Sequence, residues 1–386
     1  MRILFFVQSL NHGGPERNVS DLAHGLARRG HHVAVAALHT LGVDWQEVLD
    51  PRSLPVSIFF RDTPGNAISA AYQLVKAARK LRHLLQSERI GTLYCTSGPA
   101  APVVGWLAAE NLPAVQLVWN LLALPGRSPW YRNLRLRLLW RFGVLVSPTV
   151  PLQIFVSEAV QARARAVGSR CQRECVIHPG VDAQIFRPDP AGRAMLRSDW
   201  AVTPEKKLIG LVGRLDPIKG HPVFLEAARI LVAERADLVF VCVGDGPEPY
   251  RGQLHSLGAE LGLGERLIWA GSRAYGDMPS VYSALDLLCL PSRSEGLPNV
   301  IAEAMACGVP CVATRVGGVP EIMGDLGIMV PPGDPAALAR GVLAALVTNP
   351  GPDELRQHII ASFSIEATVE ATDRELNALT PSGEAV

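Results

Sequence analysis

The 386-residue chain predicts two doubly wound, parallel α/β domains, and three observations carry that reading. The length is more than a single core of ordinary size uses. Apolar runs recur that are short and continuous, as strands buried on both faces are. Helical segments and loops marked by glycine or proline separate these runs, and the alternation appears twice, on either side of a Pro- and Asp-rich stretch at residues 187–191.

In order, residues 3–7 form the first apolar run. Asn11, His12, Gly13 and Gly14 follow, then a helical pattern through Leu22 and Leu26 that stops at Gly30, then a strand at 32–38. Strand, glycine loop, helix and strand make a βαβ unit, whose first loop faces a ligand at the carboxyl ends of the strands. Gly13 and Gly14 equally suit a tight turn that needs positive φ. A helix at 67–85, a strand at 92–95, a small-residue segment at 98–109 and a strand at 114–118 continue the pattern. Residues 125–130 read as a turn-rich excursion, and 153–156 as a strand before Ser157, which can cap a helix. Residues 131–142 are basic and aromatic, which invites a membrane-surface reading. At 100° per residue, however, Arg132, Arg135, Arg137 and Arg141 do not gather on one face, and neither do the apolar residues. An ordinary packed helix with snorkelling arginines is therefore expected.

The second half repeats the alternation: strands at 208–212, 238–243 and 267–270, and helices at 222–234, 250–261 and 278–284. It leads to the stretch 285–312. An apolar strand ends at Pro291, a turn forms around Gly296, Pro298 and Asn299, and an Ala-rich helix stops at Gly308 before a strand at 309–313. Asn299 is the expected cap of that helix. Glu303 then lies about one turn inside, among alanines, where a carboxylate needs a hydrogen-bonding partner. Glu295 sits in the loop before it, and the N–H groups of the helix start suit an anion. On the 213–219 loop of the same sheet, Arg214 and Lys219 are placed to converge on the strand ends, where a guanidinium fork and a point charge suit a diphosphate. Standing alone, both would read as solvated loop charges. A last helical segment spans 364–379, and 380–386 reads as a tail.

Composition narrows the classes. Charged residues are 19% and the formal net charge is +1, which calls for no nucleic acid. The seven cysteines are odd in number and scattered, as reduced, buried thiols are. Cys171/Cys175 and Cys307/Cys311 have a metal-like gap, but no second pair follows, so no metal is expected. The first apolar run breaks at Gln8, a strand and not a signal peptide, and no run approaches the ~18 apolar residues of a membrane span. A cytosolic protein is expected. The Gly244-Asp-Gly-Pro-Glu-Pro segment has Pro249 where the dinucleotide fingerprint needs its third glycine, and there is no P-loop. No D-x-D triplet is present to hold a metal-bound diphosphate, so Arg214 and Lys219 are the candidates for neutralising one.

The segment from Glu295 to Glu303 resembles the E-x7-E element of the family-4 glycosyltransferases, enzymes of the GT-B type. The likeness extends through Gly13-Gly14-Pro-Glu-Arg, Val156-Ser-Glu-Ala-Val, Pro179-Gly-Val-Asp with Phe186, Gly213-Arg-Leu with Lys219-Gly, Val243-Gly-Asp-Gly-Pro and Gly317-Gly-Val-Pro-Glu. It covers nearly the whole chain and is strongest at 208–332. The resemblance implies two Rossmann-like domains facing across a cleft: an acceptor domain at 1–187, a nucleotide-sugar domain at 188–363, and a C-terminal helix at 364–380 packing back on the first, before a tail at 381–386. It implies a retaining, metal-independent transfer of a hexosyl unit from a UDP- or GDP-sugar to a glycan or lipid-linked acceptor, in cell-surface polysaccharide or glycolipid synthesis. No cofactor is implied, since the nucleotide sugar is the donor substrate. Arg214 and Lys219 would hold the diphosphate, and Glu303 the ribose. Glu295, with Gly296, Leu297 and Pro298 around it, would fix the sugar, and Asn299, Val300, Gly213, Gly13 and Gly14 would adjoin the phosphates. Ser272 and Arg273 would lie beside the base.

The first half departs from the family pattern. Where many relatives carry histidines after two of its strands, this chain has Thr96-Ser97-Gly98 and Trp119-Asn120. His12 and Asn120 are the remaining acceptor-side candidates. A lipid-linked acceptor would bring peripheral contact with the inner face of a membrane. Two other readings share the architecture: a sugar phosphorylase or nucleotide-sugar epimerase, and a non-catalytic nucleotide-sugar-binding member. A glycosidase using Glu295 and Glu303 would leave Arg214 and Lys219 idle.

Overall fold

The computed structural model describes residues 1–10, 14–40, 53–60, 67–96, 98–123, 133–348 and 350–379. The chain forms two compact units, Met1–Gly180 with Ile365–Val386, and Val181–Ser364. Each is a parallel sheet covered by helices.

In the first unit the strands are β1 (Arg2–Leu10), β2 (His32–Thr40), β3 (Val56–Phe60), β4 (Thr92–Thr96), β5 (Gln116–Leu121), β6 (Leu152–Phe155) and β7 (Arg173–Val176). They lie in the order β3-β2-β1-β4-β5-β6-β7, all parallel. The helices are α1 (Gly14–Arg28), α2 (Ala67–Ser87), α3 (Ala100–Ala109), α4 (Leu134–Val146) and α5 (Glu158–Ala166). Strands β1 and β4 are buried almost throughout, which explains why continuous apolar runs announced them. Strand β3 at the sheet edge is only half-buried, and its mixed sequence gives no such run. Ser157 caps α5 as expected, its Oγ accepting the Val160 N–H at 3.2 Å. The expected excursion at 125–130 and the tail from 380 onward lie outside the described residues.

In the second unit α6 (Pro190–Asp199) precedes β8 (Lys207–Val212), α7 (His221–Glu234), β9 (Leu238–Val243), α8 (Tyr250–Glu260), β10 (Leu267–Gly271), α9 (Met278–Ala284) and β11 (Leu287–Leu290). Then come α10 (Asn299–Ala306), β12 (Cys311–Thr314), α11 (Val319–Met323), β13 (Ile328–Val330), α12 (Pro335–Val347) and α13 (Pro352–Ser362). The sheet order is β10-β9-β8-β11-β12-β13, again parallel. Its core gathers Ile209, Leu211, Phe224, Phe240, Leu287 and Val312.

The last helix, α14 (Ile365–Asn377), belongs to the first unit. It lies so close to α1 that a Cβ at Gly25 would overlap the Val369 side chain. Asp373 on α14 pairs with Arg29 at 2.8 Å and His31 at 2.9 Å. All seven cysteines are free, and burial pushes the thiols of Cys171, Cys175 and Cys307 up to about 12. Among the described residues no helix is long and apolar enough to cross a membrane.

Candidate functional site

The order of the second sheet reverses at the β8–β11 pair, with β9 and β10 on one side and β12 and β13 on the other. Loops leaving two strands at such a point diverge and leave a crevice at the strand ends. Both loops here carry the charged residues that the sequence singles out.

Backbone bonds set the loop after β8. Gly213 N–H donates to Val243 O at 2.9 Å, and Leu215 N–H to Asp245 O at 2.9 Å. Asp216 Oδ1 accepts the Ile218 N–H at 2.9 Å and starts one 3₁₀ turn, Pro217–Lys219. Gly220 closes it at φ 74, where a Cβ would overlap the Pro291 carbonyl oxygen. Only glycine combines that φ with that approach. The Arg293 N–H, from the loop after β11, donates to Ile218 O at 2.7 Å.

The two loops therefore meet through their side chains. Lys219 Nζ donates to Glu295 Oε1 at 2.8 Å, and Ser292 Oγ donates to the same oxygen at 2.6 Å. The Lys219 and Glu295 side chains are only 19% and 10% exposed, so this is not a loose surface pair. Both bonds fall on Oε1. Behind it, Gly317 at φ 52 lies so near that a Cβ would overlap the Glu295 carbonyl oxygen, and Gly318 N–H donates to Gly296 O at 2.9 Å.

Glu303 finds its partner on α9. Tyr282 O–H donates to Glu303 Oε2 at 2.5 Å. Tyr282 is fully buried, and burial, then the Glu303 charge, holds its phenol well above the ordinary tyrosine range, so it stays a donor. The expected Asn299 cap is corrected: Pro298 takes the N-cap position in extended backbone (φ −84, ψ 106) without a side-chain bond, and Asn299 is the first helical residue. A proline enters a helix readily in that conformation, which moves the start one residue earlier.

Other expected residues lie elsewhere. Arg214 is 72% exposed, its Nη2 3.6 Å from Asp216 Oδ2 and not at Glu295. Ser272 and Arg273 follow β10, where Gly271 O accepts the Gly244 N–H at 2.8 Å, and the Arg273 guanidinium lies 5.8 Å over the Trp200 ring. Leu297 and Pro298 are buried, and Val300 is half-buried. His12 and Gly13 lie outside the described residues, and Gly14 opens α1 in the first unit.

Asn120 ends up in that first unit, at the end of β5. Its Nδ2 donates to Tyr94 O–H at 2.5 Å. Its Oδ1, Thr96 Oγ1 and Thr372 Oγ1 are buried without a partner among the described residues, and all three residues line one cavity. Sequence reasoning missed Tyr282, although the need of Glu303 for a partner pointed to some such residue. Nothing local announces Thr372, which α14 delivers. His221, at the start of α7, is fully buried with both ring nitrogens unpartnered among the described residues. Burial, then the positive charge of Lys219, lowers its pKa to about 4 against the opposing charge of Asp216.

Two family models match adjoining parts of the chain, Glycosyltransferase Family 4 over residues 12–185 and Glycosyl transferases group 1 over residues 206–348. The chain belongs to the family-4 glycosyltransferases. A family relative named D-inositol 3-phosphate glycosyltransferase, from Mycobacterium marinum, is 34% identical over 204 residues, or 51% of this chain and 43% of the relative. The match thus spans less than half the length of that relative. A protein of the same name from Xylanimonas cellulosilytica is 29% identical over 362 residues, covering 88% of this chain and 84% of its own. Among solved structures, HepE of Anabaena in complex with UDP-glucose superposes with a TM-score of 0.82 at 25% identity, covering 98% of this chain and 100% of that one. The lipopolysaccharide glycosyltransferase WaaG shares the fold, with a TM-score of 0.69 at 16% identity, covering 99% of this chain and 100% of that one.

Proposed function

We propose that this family-4 glycosyltransferase transfers a hexosyl unit, with retention of configuration, from a UDP-sugar to a hydroxyl of a glycan or lipid-linked acceptor. The observation that carries the reading is the Lys219–Glu295 pair at the reversal of the second sheet, with Glu303 held separately by Tyr282. Two carboxylates on neighbouring segments are thereby held by different elements, and the Lys219 cation bridges the two loops. The UDP-glucose complex of the HepE relative favours uridine over guanosine.

In this reading Lys219, with Arg214 swung in from solvent, neutralises the diphosphate as it departs. Glu295 accepts sugar hydroxyls on Oε2, beside the amides of Gly296 and Leu297. Glu303 takes the ribose hydroxyls, and the α10 start at Asn299 and Val300 adjoins the phosphates. Ser272 and Arg273 border the base. The bond from the sugar's anomeric carbon to phosphate oxygen breaks, the bond to the acceptor oxygen forms on the same face, and the acceptor proton leaves on the diphosphate. No metal or other cofactor enters this scheme, and the work is done in the cytosol.

Calorimetry with UDP-glucose, other UDP-sugars and GDP-sugars tests the donor, and a radiolabelled transfer assay tests the activity. Lys219→Ala or Glu295→Ala is expected to lower transfer by about 100- to 1000-fold in a folded protein. Full transfer by either variant would sink the assignment. Epimerised sugar from UDP-sugar alone would favour the epimerase reading instead.

A further inference from the structure

The segment Pro179-Gly-Val-Asp with Phe186 lies outside both charged loops of the site, yet the second unit ties it to one of the two carboxylates. Residues 182–186 form a tight turn. Asp182 Oδ1 accepts the Gln184 N–H at 2.9 Å and the Ile185 N–H at 3.2 Å, and Asp182 O accepts the Phe186 N–H at 2.8 Å. An aspartate suits this place because its short side chain reaches backbone N–H groups just ahead of it. The turn delivers the buried Phe186 ring against two tyrosines. It meets Tyr275 edge-on with centroids 5.4 Å apart, and it is tilted toward Tyr282 at 6.1 Å.

Tyr282 is the residue that holds Glu303, so the turn reaches that carboxylate through an aromatic contact. It reaches the same helix from the other end through Arg356 of α13. The Arg356 guanidinium donates from Nη1 to Phe186 O and to Ala306 O, and from Nη2 to Ala183 O, each at 2.7 Å. Ala306 is the last residue of α10, whose final carbonyls have no partner within the helix. A cation at that end also suits the helix dipole. Beside it, Gly308 at φ 78 lies so near Pro352 that a Cβ would overlap that side chain. Helix α10 is only eight residues long, so a shift at its C-terminal end reaches Glu303 within one turn.

We propose that the 182–186 turn positions Glu303 for a ribose diol: Phe186 sets Tyr282, Arg356 sets the end of α10, and together they fix the carboxylate. The three are positioning residues, and the proposal rests on the reading of Glu303 as the ribose ligand. Two neighbouring hydroxyls can both donate to one carboxylate only while its rotation is held, and the Tyr282 O–H holds it at Oε2. Tyr282→Phe keeps the buried ring and removes that one bond. Arg356→Gln loosens the turn from the α10 end, and Phe186→Leu removes the ring that backs Tyr282.

Calorimetry on the full chain compares UDP with 2′,3′-dideoxy-UDP, which lacks both ribose hydroxyls. The wild type is expected to prefer UDP by about 100-fold or more, the worth of two hydrogen bonds to a charged group. Tyr282→Phe lowers that ratio by about tenfold, and Arg356→Gln and Phe186→Leu by about threefold each. A role in stability alone would weaken both nucleotides equally and leave the ratio unchanged. Urea unfolding establishes that each variant is folded at the temperature of the titration, and if Phe186→Leu is not, the other two decide. A wild type that binds both nucleotides equally overturns the ribose reading of Glu303 and this proposal with it. A wild type that discriminates, while Tyr282→Phe or Arg356→Gln keeps the full ratio, overturns this proposal alone.

Discussion

The two sheets share one plan and finish it differently. Around β1 the order is β3-β2-β1-β4-β5, and around β8 it is β10-β9-β8-β11-β12, so β4 and β11 stand at corresponding places. In the second unit the loops beyond these strands are closed on themselves: Lys219 and Ser292 both hold Glu295, Ile218 O holds the Arg293 N–H, and Tyr282 holds Glu303. In the first unit the ends of β4 and β5 present Thr96 Oγ1 and Asn120 Oδ1, buried and without a partner among the described residues, with Thr372 Oγ1 in the same state beside them. An unmade bond of this kind costs about 1–3 kcal/mol. The charged loops of the second unit are thus held by bonds within the chain, whereas the first unit keeps polar groups that have no partner among the described residues.

The largest test of this contrast is a single methyl group. Gly317→Ala forces a side chain into φ 52 and onto the Glu295 carbonyl oxygen. A loss of about 3 kcal/mol or more in urea unfolding is expected. A shift of Glu295 by about 1 Å is expected to cost about 100-fold in transfer even below the melting range. If the variant melts and transfers like the wild type, the second unit's loops are not organised as described.

His221 provides a milder test within the same unit. Its pKa of about 4 lies below the ordinary 6.5, so the unfolded chain binds its proton first as pH falls. The folded state's advantage is complete above pH 6.5 and declines toward pH 4, by about 3 kcal/mol in all. His221→Leu removes this dependence, and urea midpoints at pH 7, 5.5 and 4.5 are expected to fall less steeply than in the wild type. Equal slopes would show that the buried ring is not the titrating group.

The second unit was also the more legible half in the sequence. Its strands are continuous apolar runs, and Lys219, Glu295 and Glu303 stand at loop and helix positions that local pattern can place. Glycines did the remaining work, and Gly220 and Gly317 are readable as turns but not as the close approaches they permit. What stayed hidden depends on distant chain segments: Tyr282 reaching Glu303 from α9, and Thr372 arriving on α14 beside Thr96. Asn299 misled as a cap because helix-start preferences do not weigh the proline before it. Helix α4 packs one side on the unit as expected, and its exposed Leu134, Leu138, Phe142 and Leu145 are a face that the sequence periodicity did not single out.

The smallest expected effect separates the two halves most cleanly. Asn120→Ala removes one acceptor, Oδ1, that has no partner among the described residues, and leaves every bond of the second unit in place. If the first unit waits for the acceptor, the acceptor KM rises by about three- to tenfold, the value of one hydrogen bond, while the UDP-sugar Kd is unchanged. The variant also takes away the amide that holds Tyr94, whose phenol burial keeps protonated, so Tyr94→Phe serves as the companion. That change frees the Asn120 amide to turn but keeps Oδ1, and a smaller rise in KM is expected. Equal effects of both variants on UDP-sugar affinity would place Asn120 on the donor side and erase the contrast.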